Sequence, residues 1–198
     1  MYQKTTLPNG LRVITADLPH TEVVTVLVLV GTGSRFETID INGVSHFLEH
    51  LFFKGADRYP DTRAVSEAID GVGGEFNAFT GKDYTGYYVR LAKDHASLAC
   101  DVISDMLLHA TFKQEEIERE RGVILEEINM YEDNPMSKIA EVFETTIFGD
   151  QPLGWPIAGH KEVIKRVTRD EIMNYRARTY VPQNMVVTIT GPIDHAAG

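Results

Sequence analysis

Hydrophobic positions along this chain follow two rhythms, and the switches between them mark its elements. Leu11 to Ala16 alternates apolar and polar residues directly after Pro8-Asn9-Gly10, which predicts a strand leaving a tight turn. Val23 to Val30 is a β-branched apolar run closed by Gly31-Thr32-Gly33-Ser34, the pattern of a buried central strand. Asn42-Gly43 then introduces a helical spacing from about Val44 to Phe53. A second helix fits Thr62 to Asp70, with Asp61 after Pro60 as its N-cap. Gly71, Gly73 and Gly74 break that rhythm. Glu75 to Thr80 and Tyr84 to Leu91 follow as two strands joined by a hairpin turn at Gly81-Lys82-Asp83. Helical spacing returns at Ala96 to Leu108. It continues from Gln114 to Phe148 as one long charged helix, bent near Asn134-Pro135. Thr168 to Tyr180 is a further helix, and Met185 to Thr190 a last apolar strand. There is no internal repeat. Irregular alternation with one clear hairpin favours an α+β fold, a mixed, mainly antiparallel sheet layered with helices, over a doubly wound parallel one.

Composition adds bounds. The 198 residues are 43% hydrophobic and 24% charged, an ordinary globular balance. A chain of this length buries roughly 70% of its unfolded surface, so one domain over 1–198 needs no disulfide to fold. The formal charge of −10 repels phosphate backbones and attracts basic peptides, which argues against nucleic acid as a partner. Cys100 is the only cysteine, so an intramolecular disulfide is impossible, and its apolar surroundings read as a packed core thiol. The polar start, Met1 to Leu7, lacks a signal-peptide pattern, and the longest apolar run is too short to cross a bilayer. The expectation is a cytoplasmic protein with no membrane contact.

Candidate chemistry is concentrated in His46-Phe47-Leu48-Glu49-His50. Successive helical residues turn by about 100°, so His46 and His50 lie roughly 40° apart on one face. Two imidazoles so placed can share one tetrahedral zinc ion, and Glu49 falls beside the same face, within reach of a water. Phe47 and Leu48 point the other way, towards a core. The order is the reverse of the H-E-x-x-H signature and matches the H-x-x-E-H hydrolase pattern. A catalytic zinc takes three protein ligands as a rule. The remaining histidines, His20, His95, His109, His160 and His195, show no paired spacing and read as surface or core residues. The acidic stretch Glu115 to Glu127 is the better source. Glu120 and Glu127 share a helical face, with Glu126 turned from Glu127 by about 100°. Spacing alone leaves the ligand open among these glutamates.

The sequence resembles the pitrilysin/insulinase family of inverted zinc peptidases, which includes the mitochondrial processing peptidases and their bacterial relatives. Three ordered segments carry the resemblance: His46 to Gly55, Gly74 to Thr80 (Gly74-Glu75-Phe76-Asn77-Ala78-Phe79-Thr80), and Ile117 to Ile128. It implies Glu127 as the third zinc ligand, Glu120 as a supporting carboxylate and Glu49 as general base. A one-residue slip would exchange Glu127 with Glu126. It also implies that the strand Asn77-Ala78-Phe79-Thr80 pairs with an extended peptide substrate, Asn77, Ala78 and Phe79 being its substrate-binding residues. Members of the family carry a second half of similar fold that closes over the site and supplies an Arg and a Tyr. The expected protein is therefore the N-terminal zinc-binding half of a longer endopeptidase, completed by that half, by a partner subunit or by a second copy. The other functional class is a non-catalytic structural or substrate-presenting subunit. A complete ligand set with its base favours the peptidase.

Overall fold

The alternation in Val23–Val30 forms a strand inside a six-stranded sheet, shown by a computed structural model that describes residues 2–196. In chain order the strands are β1 (Tyr2–Thr6), β2 (Arg12–Asp17), β3 (Val23–Val30), β4 (Glu75–Thr80), β5 (Thr85–Ala92) and β6 (Met185–Gly191). The helices are α1 (Val44–Leu51), α2 (Thr62–Asp70), α3 (Ala96–His109), α4 (Gln114–Asp133), α5 (Pro135–Phe148), α6 (Lys161–Arg166) and α7 (Arg169–Thr179). The strands lie side by side as β1-β2-β6-β3-β5-β4. Only β2 and β6 run parallel among the described pairs; the others are antiparallel. The architecture is the expected α+β one. Val24, Val26, Val28 and Val30 bury every second side chain of β3, in one core with Phe47 and Leu48 of α1, Val102 and Met106 of α3, and Ile117 and Ile124 of α4. That core fixes α1 against α4 and leaves β4 as an edge strand. No helix among the described residues is long and apolar enough to cross a membrane.

The start of α1 is set by contacts remote in sequence. Gly43 has φ +95, and a Cβ there would come within 2.6 Å of the Ala158 carbonyl oxygen, so glycine meets both a conformational and a steric demand. The first N–H groups of a helix have no partner within it. Here the buried Glu37 carboxylate accepts from Gly43 N and Ser45 N, both at 2.7 Å, and from Asn42 Nδ2 at 3.0 Å. Burial pushes the Glu37 carboxyl above its ordinary pKa, against those hydrogen bonds.

Three expectations need correction. The long bent helix is two helices. Proline lacks an N–H and drives the residue before it out of the helical region. Asn134 accordingly sits at φ −101, ψ 104, ends α4, and caps α5 through its side chain to Met136 N. The first histidine-bearing helix stops at Leu51, because Phe53 N and Lys54 N bond back only three residues, to His50 O and Leu51 O. Cys100 is half-buried against the core instead of inside it. The strand β1 had no apolar signal, because all five of its residues are exposed; backbone pairing to β2 holds it, with Thr5 also bonded to His195.

Candidate metal centre

Helix α1 places His46 and His50 one turn apart, with Phe47 and Leu48 buried beneath them. Helix α4 lies alongside and turns Glu120 and Glu127 towards the two rings. Nε2 of His50 is 3.3 Å from Nε2 of His46 and 3.4 Å from Oε2 of Glu127; His46 Nε2 is 3.7 Å from that same oxygen. These three side chains form the one group of potential metal ligands found among the described residues. Glu126, one position earlier, is exposed and makes none of these contacts. His20, His95, His109, His160 and His195 stay outside the cluster. His109 pairs with Asp105, His160 with Asn42, and His195 with Thr5 and Thr15.

The donor set fits zinc. Two atoms each about 2.0–2.1 Å from a tetrahedral ion stand about 3.3–3.4 Å apart, close to the separations seen. Two imidazole lone pairs facing each other at 3.3 Å repel unless a proton or a cation lies between them. Each ligand but one is also held from behind. His50 Nδ1 is 3.1 Å from Oε2 of the buried Glu120, whose Oε1 accepts from Lys54 Nζ at 2.9 Å. The Tyr131 hydroxyl donates to Glu127 Oε1 at 2.8 Å, which leaves Oε2 for the rings. Such outer partners fix the tautomer and orientation of metal ligands. His46 is the exception: its buried Nδ1 has no hydrogen-bond partner.

Electrostatics follow the same geometry. Burial, helped by the neighbouring His50, pulls the His46 pKa down to about 4, so its ring is neutral near pH 7. Burial works against protonation of His50 too, but hydrogen bonds to Glu120 and Glu127 outweigh it and push the value up to about 9. The hydrogen bond from His50 takes Glu127 down to about 2. Without metal, one proton on His50 therefore holds the place of the cation.

Glu49 lines the adjoining cleft of about 430 Å³, together with Ala78, Phe79, Thr80 and Tyr131. Burial raises its pKa above the ordinary carboxyl value, while a hydrogen bond from Thr80 Oγ1 to Oε2 at 2.5 Å acts the other way. Asn77 points its Oδ1 at the N–H of Ala78, at 2.8 Å. Asn77, Ala78 and Phe79 lie on the edge strand β4, and Ala78 and Phe79 line the same cleft as His46 and Glu127. Two polar residues around the site, Tyr131 and Lys54, were not singled out from the sequence, and Thr80 entered it only as the end of the substrate strand, with no role of its own. Tyr131 follows Glu127 by one helical turn, a spacing that could have marked it. Thr80 and Lys54 act across elements, and no periodicity announces them.

Comparison with known proteins places the chain in a family. Residues 12–161 match the family described as insulinase, peptidase family M16. The chain belongs to that family. Among curated relatives, it is 40% identical over 193 residues to YmxG of Bacillus subtilis, named an uncharacterized zinc protease, covering 98% of this chain and 47% of that protein. It is 39% identical over 191 residues to a probable mitochondrial-processing peptidase subunit beta of Arabidopsis thaliana, covering 96% of this chain and 36% of the relative. The solved structure of a protease from Helicobacter pylori superposes with a TM-score of 0.93 at 27% identity, covering 99% of this chain and 47% of that one. This M16 chain therefore spans about half the length, or less, of the relatives it matches.

Proposed function

We propose that this chain is the zinc-binding half of a two-half M16 endopeptidase, in which His46, His50 and Glu127 hold zinc and Glu49 is the general base. The observation that carries the reading is the convergence of three donor atoms, 3.3 to 3.7 Å apart, from two helices, beside a carboxylate that opens on a cleft. A zinc ion bound there would supply a Lewis acid that lowers the pKa of a coordinated water to about 7 and polarises a carbonyl. The protein's own groups do the rest. Glu49 accepts the proton of the attacking water as the new C–O bond forms, and passes it to the amide nitrogen as the C–N bond breaks. The raised pKa of Glu49 suits both roles, since a buried carboxyl can hold that proton between the two steps. Glu120 keeps the Nδ1 proton of His50 in place, so that Nε2 faces the ion.

The peptide would lie extended against β4, whose free edge offers main-chain groups and little sequence preference. Asn77, Ala78 and Phe79 belong to that strand, with Ala78 and Phe79 lining the cleft. The coverage of about half of each relative supports a second half of similar fold, in the same longer chain or as a partner subunit, that encloses the substrate. A second copy of this chain would be the other way to complete the site. The non-catalytic reading has less in its favour, because neither a ligand nor the base is missing. In the intact two-half protein, Glu49→Gln should retain one zinc per site and lose hydrolysis of an internally quenched peptide. Substantial remaining turnover would remove Glu49 from the base role.

A further inference from the structure

The hairpin register decides which backbone groups of β4 face outward. Gly81 N donates to the Tyr84 carbonyl at 2.8 Å and closes the hairpin, and the ladder then runs Phe79↔Gly86 and Asn77↔Tyr88. Bonded and non-bonded pairs alternate along an antiparallel ladder. Asn77 and Phe79 therefore exchange hydrogen bonds with β5, while the N–H and C=O of Phe76, Ala78 and Thr80 face the free edge. The Ala78 N–H, met by the side chain of Asn77 and not by β5, agrees with this phase. The side chains of the same three residues turn to the helical layer. Phe76 packs its ring 5.4 Å from that of Phe53, and Thr80 reaches Glu49.

Thr80 thus stands at a junction. Its backbone belongs to the edge on which an extended peptide would pair, and its hydroxyl donates at 2.5 Å to Oε2 of Glu49. No other hydrogen bond among the described residues engages that carboxylate, so Oε1 is left for the cleft. We propose that Thr80 is a positioning residue for the hydrolysis: it commits one oxygen of Glu49, aims the other at the attacking water, and ties that alignment to the strand that seats the substrate. The inference rests on the peptidase reading above. A side chain that lost this donor would leave the Glu49 carboxylate free to rotate, whereas the peptide-pairing groups, being backbone, would be unchanged. Misplacing a reacting group by about 1 Å costs on the order of 100-fold.

The test compares Thr80→Val, which keeps shape and strand preference but has no donor, with Thr80→Ser, which keeps the donor. In the intact two-half protein, Thr80→Val should lower kcat by roughly 10- to 100-fold with KM nearly unchanged, and Thr80→Ser should restore most of it. Zinc content should match the parent in both. A readout independent of turnover is the carboxyl carbon resonance of Glu49 in zinc-free protein, which should move in Thr80→Val and stay in Thr80→Ser. Should Thr80→Val prove unstable, the resonance in Thr80→Ser against Thr80→Ala answers the same question. Parental kcat in Thr80→Val, or a Glu49 resonance indifferent to the hydroxyl, would overturn the inference. Glu49→Gln separates the two levels: an active Glu49→Gln removes Glu49 from the base role on which this inference rests, whereas an inactive Glu49→Gln beside a fully active Thr80→Val sinks only the role of Thr80.

Discussion

Replacing Glu120 by alanine should weaken zinc binding without touching a ligand. The Glu120 side chain is almost fully buried, yet it has two cationic partners, His50 Nδ1 at 3.1 Å and Lys54 Nζ at 2.9 Å. Burial alone would raise its pKa, but those two hydrogen bonds hold it below the usual carboxylate range, so the group is ionised in the folded protein. Alanine removes the acceptor that fixes the Nδ1 proton of His50, and it leaves the Lys54 ammonium unpaired in the neighbourhood of the cation site. Loss of an outer partner of a metal-binding histidine costs about 10- to 100-fold in affinity, or about 1.4 to 2.7 kcal/mol. The unpaired Lys54 places Glu120→Ala towards the upper end. Glu120→Gln keeps one carbonyl-type acceptor for either partner and belongs near the lower end. Lys54→Met, by removing the charge that Glu120 neutralises, should leave the affinity close to that of the parent. Competition of the metal-free chain against a chromophoric chelator reads all three, with circular dichroism to check folding. A Glu120→Ala dissociation constant within about twofold of the parent would refute the reasoning, because it would mean the His50 ring keeps its aim without Glu120.

Two further outcomes follow from the same electrostatics and from the cap of α1. Before metal enters, His50 carries its extra proton up to about pH 9, whereas Glu127 is ionised above about pH 2 and His46 is neutral above about pH 4. Zinc uptake at pH 6, below the pKa of about 7 expected for a coordinated water, should therefore release about one proton, the one that His50 gives up; calorimetry in buffers of different ionisation enthalpy measures it, and zero release at pH 6 would contradict the assignment. Glu37→Ala strips the acceptor from two buried N–H groups and the Asn42 amide. Each orphan costs about 1–3 kcal/mol, partly offset because a carboxylate no longer has to be buried, for a net loss of about 2–4 kcal/mol. At roughly 2–4 °C per kcal/mol for a chain of this size, the melting temperature should fall by about 5–15 °C, and a change under about 1 °C would show that the cap is not holding α1.

Much of the site could be read from local spacing, because helix geometry is local. His46, His50 and Glu49 are separated by three and four positions or fewer, and a helix of fixed pitch is enough to put them on neighbouring faces. Glu120 and Glu127 share a face for the same reason. Choosing Glu127 over Glu126 is different: the two differ by one step on α4, and what separates them is which face of that helix packs against α1. That is a property of the core, of Ile117, Ile124 and Ile128 beneath α4, and the sequence expresses it only through a resemblance to a family. Contacts that join distant segments left no mark at all. Glu37 caps α1 from a stretch with no periodicity, Thr80 reaches Glu49 across from the edge strand, and Lys54 turns back to Glu120 after α1 has ended. The fold shows the same division. β3 announces itself by burying every second residue, whereas β1, exposed throughout, depends on pairing with β2 that no hydrophobic pattern records.

Zinc titration of the metal-free chain with four single alanine variants asks most directly whether His46, His50 and Glu127 close on one ion. The parent and Glu126→Ala should each take up one equivalent with the same affinity, while His46→Ala, His50→Ala and Glu127→Ala should each lose tight uptake. Tight stoichiometric binding that survives Glu127→Ala, or disappears in Glu126→Ala, would contradict it.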